Sequence, residues 1–202
     1  SAVSVACPRT PARGPPRMPN IARPAHIQEL GFVELIRVSS HPGVPMELPT
    51  ESVWDYPRPP RIETNTRHLH VVHEGRTLAE TEAGYRVLET SHPPCFYFPP
   101  DAVDWTRLVE SRTVTFCEFK GRARYWSLRT GDGVIPDVCW AYPDPMGSQR
   151  EIAGCVSFYA GRVDACHVDG ERVQAQAGRY YGGWITSRIV GPFKGAPGTT
   201  GW

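Results

Sequence analysis

The sequence predicts an all-β fold: a compact antiparallel sandwich or barrel of two sheets, with a tent-like outline as one variant, one short helix and an extended N-terminal arm. Three observations predict it. Short apolar runs recur at close spacing from Arg61 onward, and glycine, Asp-Gly or proline signals separate most of them. The helices that parallel strands need as crossovers are missing. These patterns argue against a parallel α/β fold.

The N-terminal arm is predicted over residues 1–50, and a single β domain over residues 51–202. Residues 1–25 are rich in proline, arginine and alanine, and a segment of this composition orders only by docking on its own domain or on a partner chain. Residues 26–38 (HIQELGFVELIRV) have roughly helical apolar spacing, although Gly31 interrupts it. Residues 39–61 are too proline-rich for regular structure and predict an extended linker.

The β domain begins with a predicted hairpin. Residues 68–75 (HLHVVHEG) alternate and stop at a glycine, and 76–81 (RTLAET) follow directly, so Glu74-Gly75 is the expected turn. Two further turns are expected at Lys120-Gly121 and Asp169-Gly170. The remaining strand candidates are residues 85–89, 95–98, 113–119, 122–128, 137–142, 153–159, 163–168 and 172–176.

One helix is predicted, over residues 99–110 (PPDAVDWTRLVE). Proline precedes it, Asp101 is its expected cap, and Ala102, Trp105 and Leu108 fit one face.

The net charge and the short apolar runs argue against nucleic acids and membranes as partners. Lysine plus arginine number 22 against 21 aspartates and glutamates, so the formal net charge is +1. This balance gives no electrostatic reason to expect a nucleic acid or an anionic membrane as partner. No apolar run approaches the length that crosses a bilayer, and the opening residues lack the order of a secretory signal.

The six cysteines are expected to be reduced. None forms a Cys-x-x-Cys pair, and most lie in apolar strand-like runs, where thiols act as small hydrophobic groups. Buried thiols favour a cytoplasmic location. A disulfide between neighbouring strands remains the alternative.

The first group of residues that could carry chemistry is the corner between two predicted strands, residues 87–100 (VLETSHPPCFYFPP). Glu89 and His92 stand three residues apart, and a carboxylate beside an imidazole suits a general acid or base. The alternative is a turn in which Thr90, Ser91 and His92 bond to nearby backbone while two prolines keep the chain extended.

The second group is the hairpin 116–126 (FCEFKGRARYW). In a strand, Phe116, Glu118 and Lys120 share one face, and the return strand places Tyr125 where it could meet them. These side chains predict a proton-handling set or a polar clamp for a ligand. A solvated face of alternating charges explains the pattern equally well.

Metal and cofactor sites have little support. His68 and His70 share a strand face and His73 lies beyond them, but a third ligand would have to come from elsewhere. An exposed histidine-rich strand edge is the favoured interpretation, so no metal is predicted. Glycine-rich phosphate and dinucleotide motifs are absent, and no cofactor is predicted.

Several blocks of the sequence resemble one known family. ESVWDYPRPPRIE, RVLETSHPPCFYFPPDAV, TFCEFKGRARYW, WAYPDP, VSFYAGRVDACHVDGERV and YYGGWITSRIVGPFKGAPGTTGW stand in order over about residues 51–202. They are similar to the domain-of-unknown-function 427 (DUF427) family, sometimes labelled nucleotidyltransferase-like. The resemblance implies a compact, mostly β protein without an established function. Phe119 stands where the family pattern implies Trp, and Cys95 where a smaller or β-branched residue is usual.

These observations combine into one hypothesis: a small polar or aromatic molecule binds in a single pocket. Its polar wall is Glu89, His92, Glu118, Lys120 and Tyr125, and its aromatic wall is Trp126, Trp140, Tyr142 and Trp184. In an enzyme, His92 or Glu118 would carry the proton and Lys120 would stabilise negative charge. The alternatives are an interaction module that forms a homodimer through the arm, and a nucleotidyltransferase-like enzyme.

Overall fold

Short strands joined by tight turns make up the described part of the protein. The computed structural model describes residues 49–199 and Trp202. The first six strands are β1 (Glu51–Ser52), β2 (Arg61–Asn65), β3 (Leu69–His73), β4 (Arg76–Thr81), β5 (Gly84–Leu88) and β6 (Cys95–Tyr97). Three longer strands follow, namely β7 (Leu108–Cys117), β8 (Gly121–Thr130) and β9 (Gly133–Ala141). The last six are β10 (Val156–Phe158), β11 (Ala165–Val168), β12 (Glu171–Arg172), β13 (Gln174–Ala175), β14 (Trp184–Ile185) and β15 (Ile189–Val190).

The strands form several open sheets. Two have four strands, in the orders β10-β9-β8-β7 and β12-β11-β3-β4, and a third has the order β2-β5-β6. Pairing within these three sheets is antiparallel, while β1 pairs with β15 in parallel. Each order is linear, so in the described residues no sheet closes into a barrel. The predicted all-β antiparallel fold is confirmed in its sandwich form.

Two of the predicted turns have the backbone that tight hairpins need. Glu74 and Gly75 have φ values of 53° and 67°, and Asp169 and Gly170 have 51° and 80°. Two successive positive φ values are typical of the two-residue turn whose twist matches the flanking strands. The third predicted turn is also present, with residues 118–120 between β7 and β8.

The prediction of a helix over residues 99–110 is wrong. Two single 3₁₀ turns, Pro100–Ala102 and Trp105–Arg107, take its place, and Leu108 already begins β7. Val103 bridges Ala79 of β4, and the next residue donates its amide to a carbonyl of the same strand. This strand contact pulls the middle of the segment into extended geometry, which an α-helix cannot accommodate. Asp104, rather than Asp101, caps a turn, by accepting from the Thr106 amide.

The predictions for the arm at 1–50 and its helix at 26–38 lie outside the described residues, except at 49 and 50. No helix in residues 49–199 is long and apolar enough to cross a membrane. The five cysteines within the described range are unpaired.

The core has two faces that share strands. In β6, Phe96 and the following Phe98 join one cluster while Tyr97 joins the other. The same division continues at the end of β9, where Trp140 joins the second cluster and its two neighbours join the first. Both apolar residues of β10 join the first cluster, and the residues that flank β10 join the second. One cluster is filled by aliphatic, phenylalanine and tryptophan side chains, and the second is rich in tyrosine and borders a cavity.

Candidate functional site

A cavity of about 380 Å³ opens beside the tyrosine-rich cluster. Its walls come from the corner after β5, from β6, from the β7–β8 hairpin, from β9 and from residues 176–182. The volume falls at the lower end of the range of about 300–1,000 Å³ that is usual for small-molecule sites. Segments far apart in the sequence therefore meet around one hollow.

The corner that carries His92 is fixed from two sides. The Ser91 amide donates to the Val53 carbonyl at 3.0 Å, and the Ser91 carbonyl accepts from the Lys194 amide at 2.8 Å. Ser91 also has a positive φ of 69°, which β-branched or bulky residues rarely adopt. The sharp reversal aims the next side chain, His92, at the cavity.

His92 has a defined tautomer. Its Nδ1 lies 2.9 Å from the Thr90 carbonyl oxygen, and because a carbonyl only accepts, Nδ1 carries the proton. In the neutral ring Nε2 then holds a lone pair. Burial lowers the pKa of His92 below its ordinary value of 6.5, although the Thr90 hydrogen bond and the Glu89 charge oppose this effect. The ring is thus neutral near pH 7 and able to accept a proton.

Lys120 is a buried lysine on the cavity wall. The residue is 8% exposed, and its Nζ lies 3.6 Å from Glu89 Oε2. In the described residues, no hydrogen bond from Nζ is found. An ammonium group buried with so few partners is costly unless something else interacts with it. Lys120 therefore has donor capacity left for a ligand oxygen.

The charges at the cavity mouth alternate in sign. Arg58 Nη2 lies 2.9 Å from Glu118 Oε1 and 4.0 Å from Glu89 Oε1. Glu118 is exposed to solvent, whereas the Glu89 side chain is 17% exposed. Glu118 is consequently a surface partner of Arg58, and Glu89 is the carboxylate that reaches the interior.

The apolar wall carries phenol groups. Tyr97 accepts a hydrogen bond from Trp140 Nε1 at 3.2 Å, and Tyr125 Oη lies 2.8 Å from Thr115 Oγ1. Burial raises the pKa of Tyr97, Tyr142 and Tyr159 well above the ordinary value, so all three stay protonated. Because neutral phenols donate hydrogen bonds, this wall can bind a flat molecule and also recognise its oxygen atoms.

Seven of the nine predicted site residues line this cavity: Glu89, His92, Glu118, Lys120, Tyr125, Trp140 and Tyr142. Trp126 and Trp184 do not. Trp126 follows Tyr125 on β8 and so points to the opposite side, where it packs on Trp105 with ring centroids 5.4 Å apart. Trp184 is fully buried in the filled cluster and donates to the Phe158 carbonyl.

Sequence reasoning missed several lining residues, including Arg58, Tyr97, Tyr159 and Tyr181. Tyr97 had a usable signal, since it is the one hydroxylated side chain between two phenylalanines of a predicted strand. Arg58 had none, because it lies in a proline-rich segment that was assigned as linker.

The exposed histidine-rich strand edge predicted for His68, His70 and His73 is wrong, because β3 lies inside its sheet, between β11 and β4, and His73 is buried. The three histidines have separate partners. His68 pairs with Glu80 at 2.8 Å, His70 bonds to Thr77 at 2.9 Å, and His73 lies 3.1 Å from Asp164. Within the described ranges, no group of three or more histidine, cysteine or acidic side chains is placed to hold a metal ion.

Comparison with models of protein families identifies the family of this chain. A family model described as a domain of unknown function, DUF427, matches residues 61–169. A search of curated proteins found no match. The matched range contains the His92 corner and the Lys120 hairpin, whereas Arg58 and residues 176–183 lie outside it. The family resemblance that the sequence motifs predicted is confirmed.

Proposed function

This chain belongs to the DUF427 family. From that premise we propose that it binds a small, flat, oxygen-bearing molecule in the cavity lined by His92 and Lys120, which we call the first cavity, and that a proton passes there from the ligand to His92. One observation carries the proposal. A neutral His92 with a free Nε2 and a buried Lys120 with unused donors line the same aromatic hollow.

The two polar groups have complementary roles. His92 is the general base, because its Nδ1 proton is held by the Thr90 carbonyl and its lowered pKa keeps Nε2 free at neutral pH. Lys120 binds the ligand oxygen on which negative charge develops when the proton leaves. Glu89 Oε2 lies 3.6 Å from Lys120 Nζ and holds the lysine side chain at the cavity wall.

Glu118 is the weaker candidate for the proton carrier. Its side chain is 66% exposed and already bound to Arg58, so water screens its charge and Arg58 occupies one of its oxygen atoms. The proton chemistry is therefore assigned to His92.

The ligand class follows from the size and composition of the wall. A cavity of about 380 Å³ limits the bound part to a compact molecule. Trp140 and Tyr159 lie with ring centroids 4.4 Å apart and offer an aromatic surface, which favours a flat, conjugated ligand. The hydroxyl of Tyr142 has no hydrogen bond to the described residues and supplies a further donor.

The test is a thermal-shift screen of small aromatic keto acids, phenols and benzoates. Hits among the keto acids that carry a C–H bond next to the ketone are followed by NMR measurement of hydrogen–deuterium exchange at that carbon. We expect stabilisation by carbonyl-bearing probes, weaker binding in Trp140→Phe and loss of exchange in His92→Gln. Trp126→Phe is the matched control, because that ring lies outside the cavity.

Two results would contradict the proposal. The first is a wild-type protein that no probe stabilises. The second is a set of hits that bind Trp140→Phe and Lys120→Met as tightly as the wild type.

The homodimer and nucleotidyltransferase alternatives stay predictions, and so does the cytoplasmic location. The dimer was expected to form through the arm, which lies almost wholly outside the described residues.

A further inference from the structure

A second hollow, of about 470 Å³, adjoins the first cavity. Tyr159, Gln176, Tyr181 and Gly182 belong to the linings of both. The wall between the two is therefore one residue layer thick at these positions. We call residues 177–183 (AGRYYGG) the partition segment.

The partition segment is held mainly by hydrogen bonds to its backbone. Tyr159 Oη donates to the Tyr180 carbonyl at 3.1 Å, and the Gly183 amide donates to Gln176 Oε1 at 3.0 Å. Gly182 lies flat on Trp140, where an added Cβ would fall 2.2 Å from the ring. Residues 177–180 are exposed, so little apolar surface anchors them. A ligand that replaced these few bonds would connect the two hollows.

The two cavities differ in how their cations are paired. In the first cavity Lys120 lies beside Glu89 and Arg58 beside Glu118, and Lys194 also lines the wall. The second cavity is lined by Arg162, Arg179 and one acidic residue, Asp137, and neither guanidinium has a carboxylate within 4.0 Å among the described residues. Two guanidinium groups against one carboxylate favour an anion in this hollow.

Arg162 is already fixed in place. Its Nη1 donates to the Asp137 carbonyl at 2.6 Å and its Nη2 to the Arg179 carbonyl at 2.7 Å. The guanidinium carbon lies 4.1 Å from the centroid of the Tyr159 ring. The Asp137 carboxylate accepts from Thr113 through Oδ2, and its Oδ1 is buried without a hydrogen-bond partner. An arginine has five N–H donors, so this fixed side chain has donors left over.

We propose that the second cavity is a subsite for an anionic group, a carboxylate or a phosphate, of the same ligand whose flat part occupies the first cavity. The inference rests on the proposed function, since it assigns the other half of that ligand. Tyr181, which contacts the His92 ring edge-on with centroids 5.1 Å apart, marks the crossing point between the two halves.

Three probes separate the halves in calorimetric titrations: benzyl alcohol for the flat part, inorganic phosphate for the anion, and benzyl phosphate for both. We expect benzyl phosphate to bind on the order of tenfold or more tightly than either fragment, because the second contact becomes intramolecular. Arg179→Gln should weaken benzyl phosphate about fivefold and leave benzyl alcohol unchanged. Arg129→Gln, an exposed change at a residue that lines neither cavity, should alter neither affinity.

Each other outcome has a definite meaning. If Lys120→Met removes the gain from the phosphate and Arg179→Gln does not, the anion lies in the first cavity and the inference is wrong. If both fragments bind without a gain on linkage, the hollows serve separate ligands and the inference is again wrong. If phosphate binds in an Arg179-dependent manner while benzyl alcohol does not bind, the anion subsite stands and the proposed function fails.

Discussion

The two faces of the core are built from the same strands but not from the same chemistry. On the filled face the aromatic side chains in and next to β6 and β10 are phenylalanines, such as Phe98 and Phe158, whose ring centroids lie 5.6 Å apart. On the cavity face the neighbouring positions carry tyrosines, Tyr97 and Tyr159. Burial alone does not require a hydroxyl group, because phenylalanine buries nearly the same ring. The hydroxyl groups therefore indicate the face on which hydrogen bonds to a ligand can form.

The largest expected effect on stability comes from adding a hydroxyl group to the filled face, compared with removing one from the cavity face. Phe98→Tyr would place a hydroxyl in a fully packed apolar cluster and should lower the free energy of unfolding by about 2–4 kcal/mol. Tyr142→Phe removes a hydroxyl that faces the hollow and should change stability by less than about 1 kcal/mol. Urea denaturation of both variants measures the difference, and equal costs would mean that the faces are not distinct.

The second largest effect on stability is expected from breaking the Lys120–Glu89 ion pair on the cavity face. Lys120→Met leaves the mostly buried Glu89 with only Arg58, at 4.0 Å, and should destabilise the fold by about 1–3 kcal/mol. The double variant Lys120→Met/Glu89→Gln should recover most of this loss, since no unpaired charge remains. Urea denaturation of the three variants forms a double-mutant cycle. Losses that simply add would show that the two groups do not interact.

The smallest effect is the pH dependence from His92. The folded-state pKa lies below the ordinary 6.5, so as the pH falls the unfolded chain takes up the proton first. Stability should be complete above about pH 6.5, fall as the pH drops toward the folded pKa, and level off below it. Urea midpoints of wild type and His92→Gln across this range measure the contribution. A variant with the same pH profile as the wild type would contradict the assigned neutral state.

Local patterns in the sequence predicted much of this structure. Alternating apolar residues located most strands, and the Asp-Gly and Glu-Gly pairs located turns, because both signals depend on neighbouring residues. The helix at 99–110 failed for the opposite reason. Its central residue, Val103, bridges Ala79, and this distant strand contact outweighed the local helical spacing.

The candidate site could be predicted only in part. His92 stood out because it lies three residues from Glu89, and Lys120 because alternation along a strand places it on one face with Glu118. Trp126 and Trp140 could not be told apart, since each lies in an apolar run and only the strand pairing decides which side faces the hollow. Arg58 reaches Glu118 across sixty residues of sequence, and no local pattern records such a contact.

The sequence by itself determined the class of fold, the order of most strands and the chemical character of each strand face, because alternation along a strand is a local property. The tertiary structure decided which face encloses a cavity and which is filled, and it joined the His92 corner to the Lys120 hairpin. A cavity is space left between elements that are remote in the chain. Its position depends on how those elements pack, and no single segment encodes that packing.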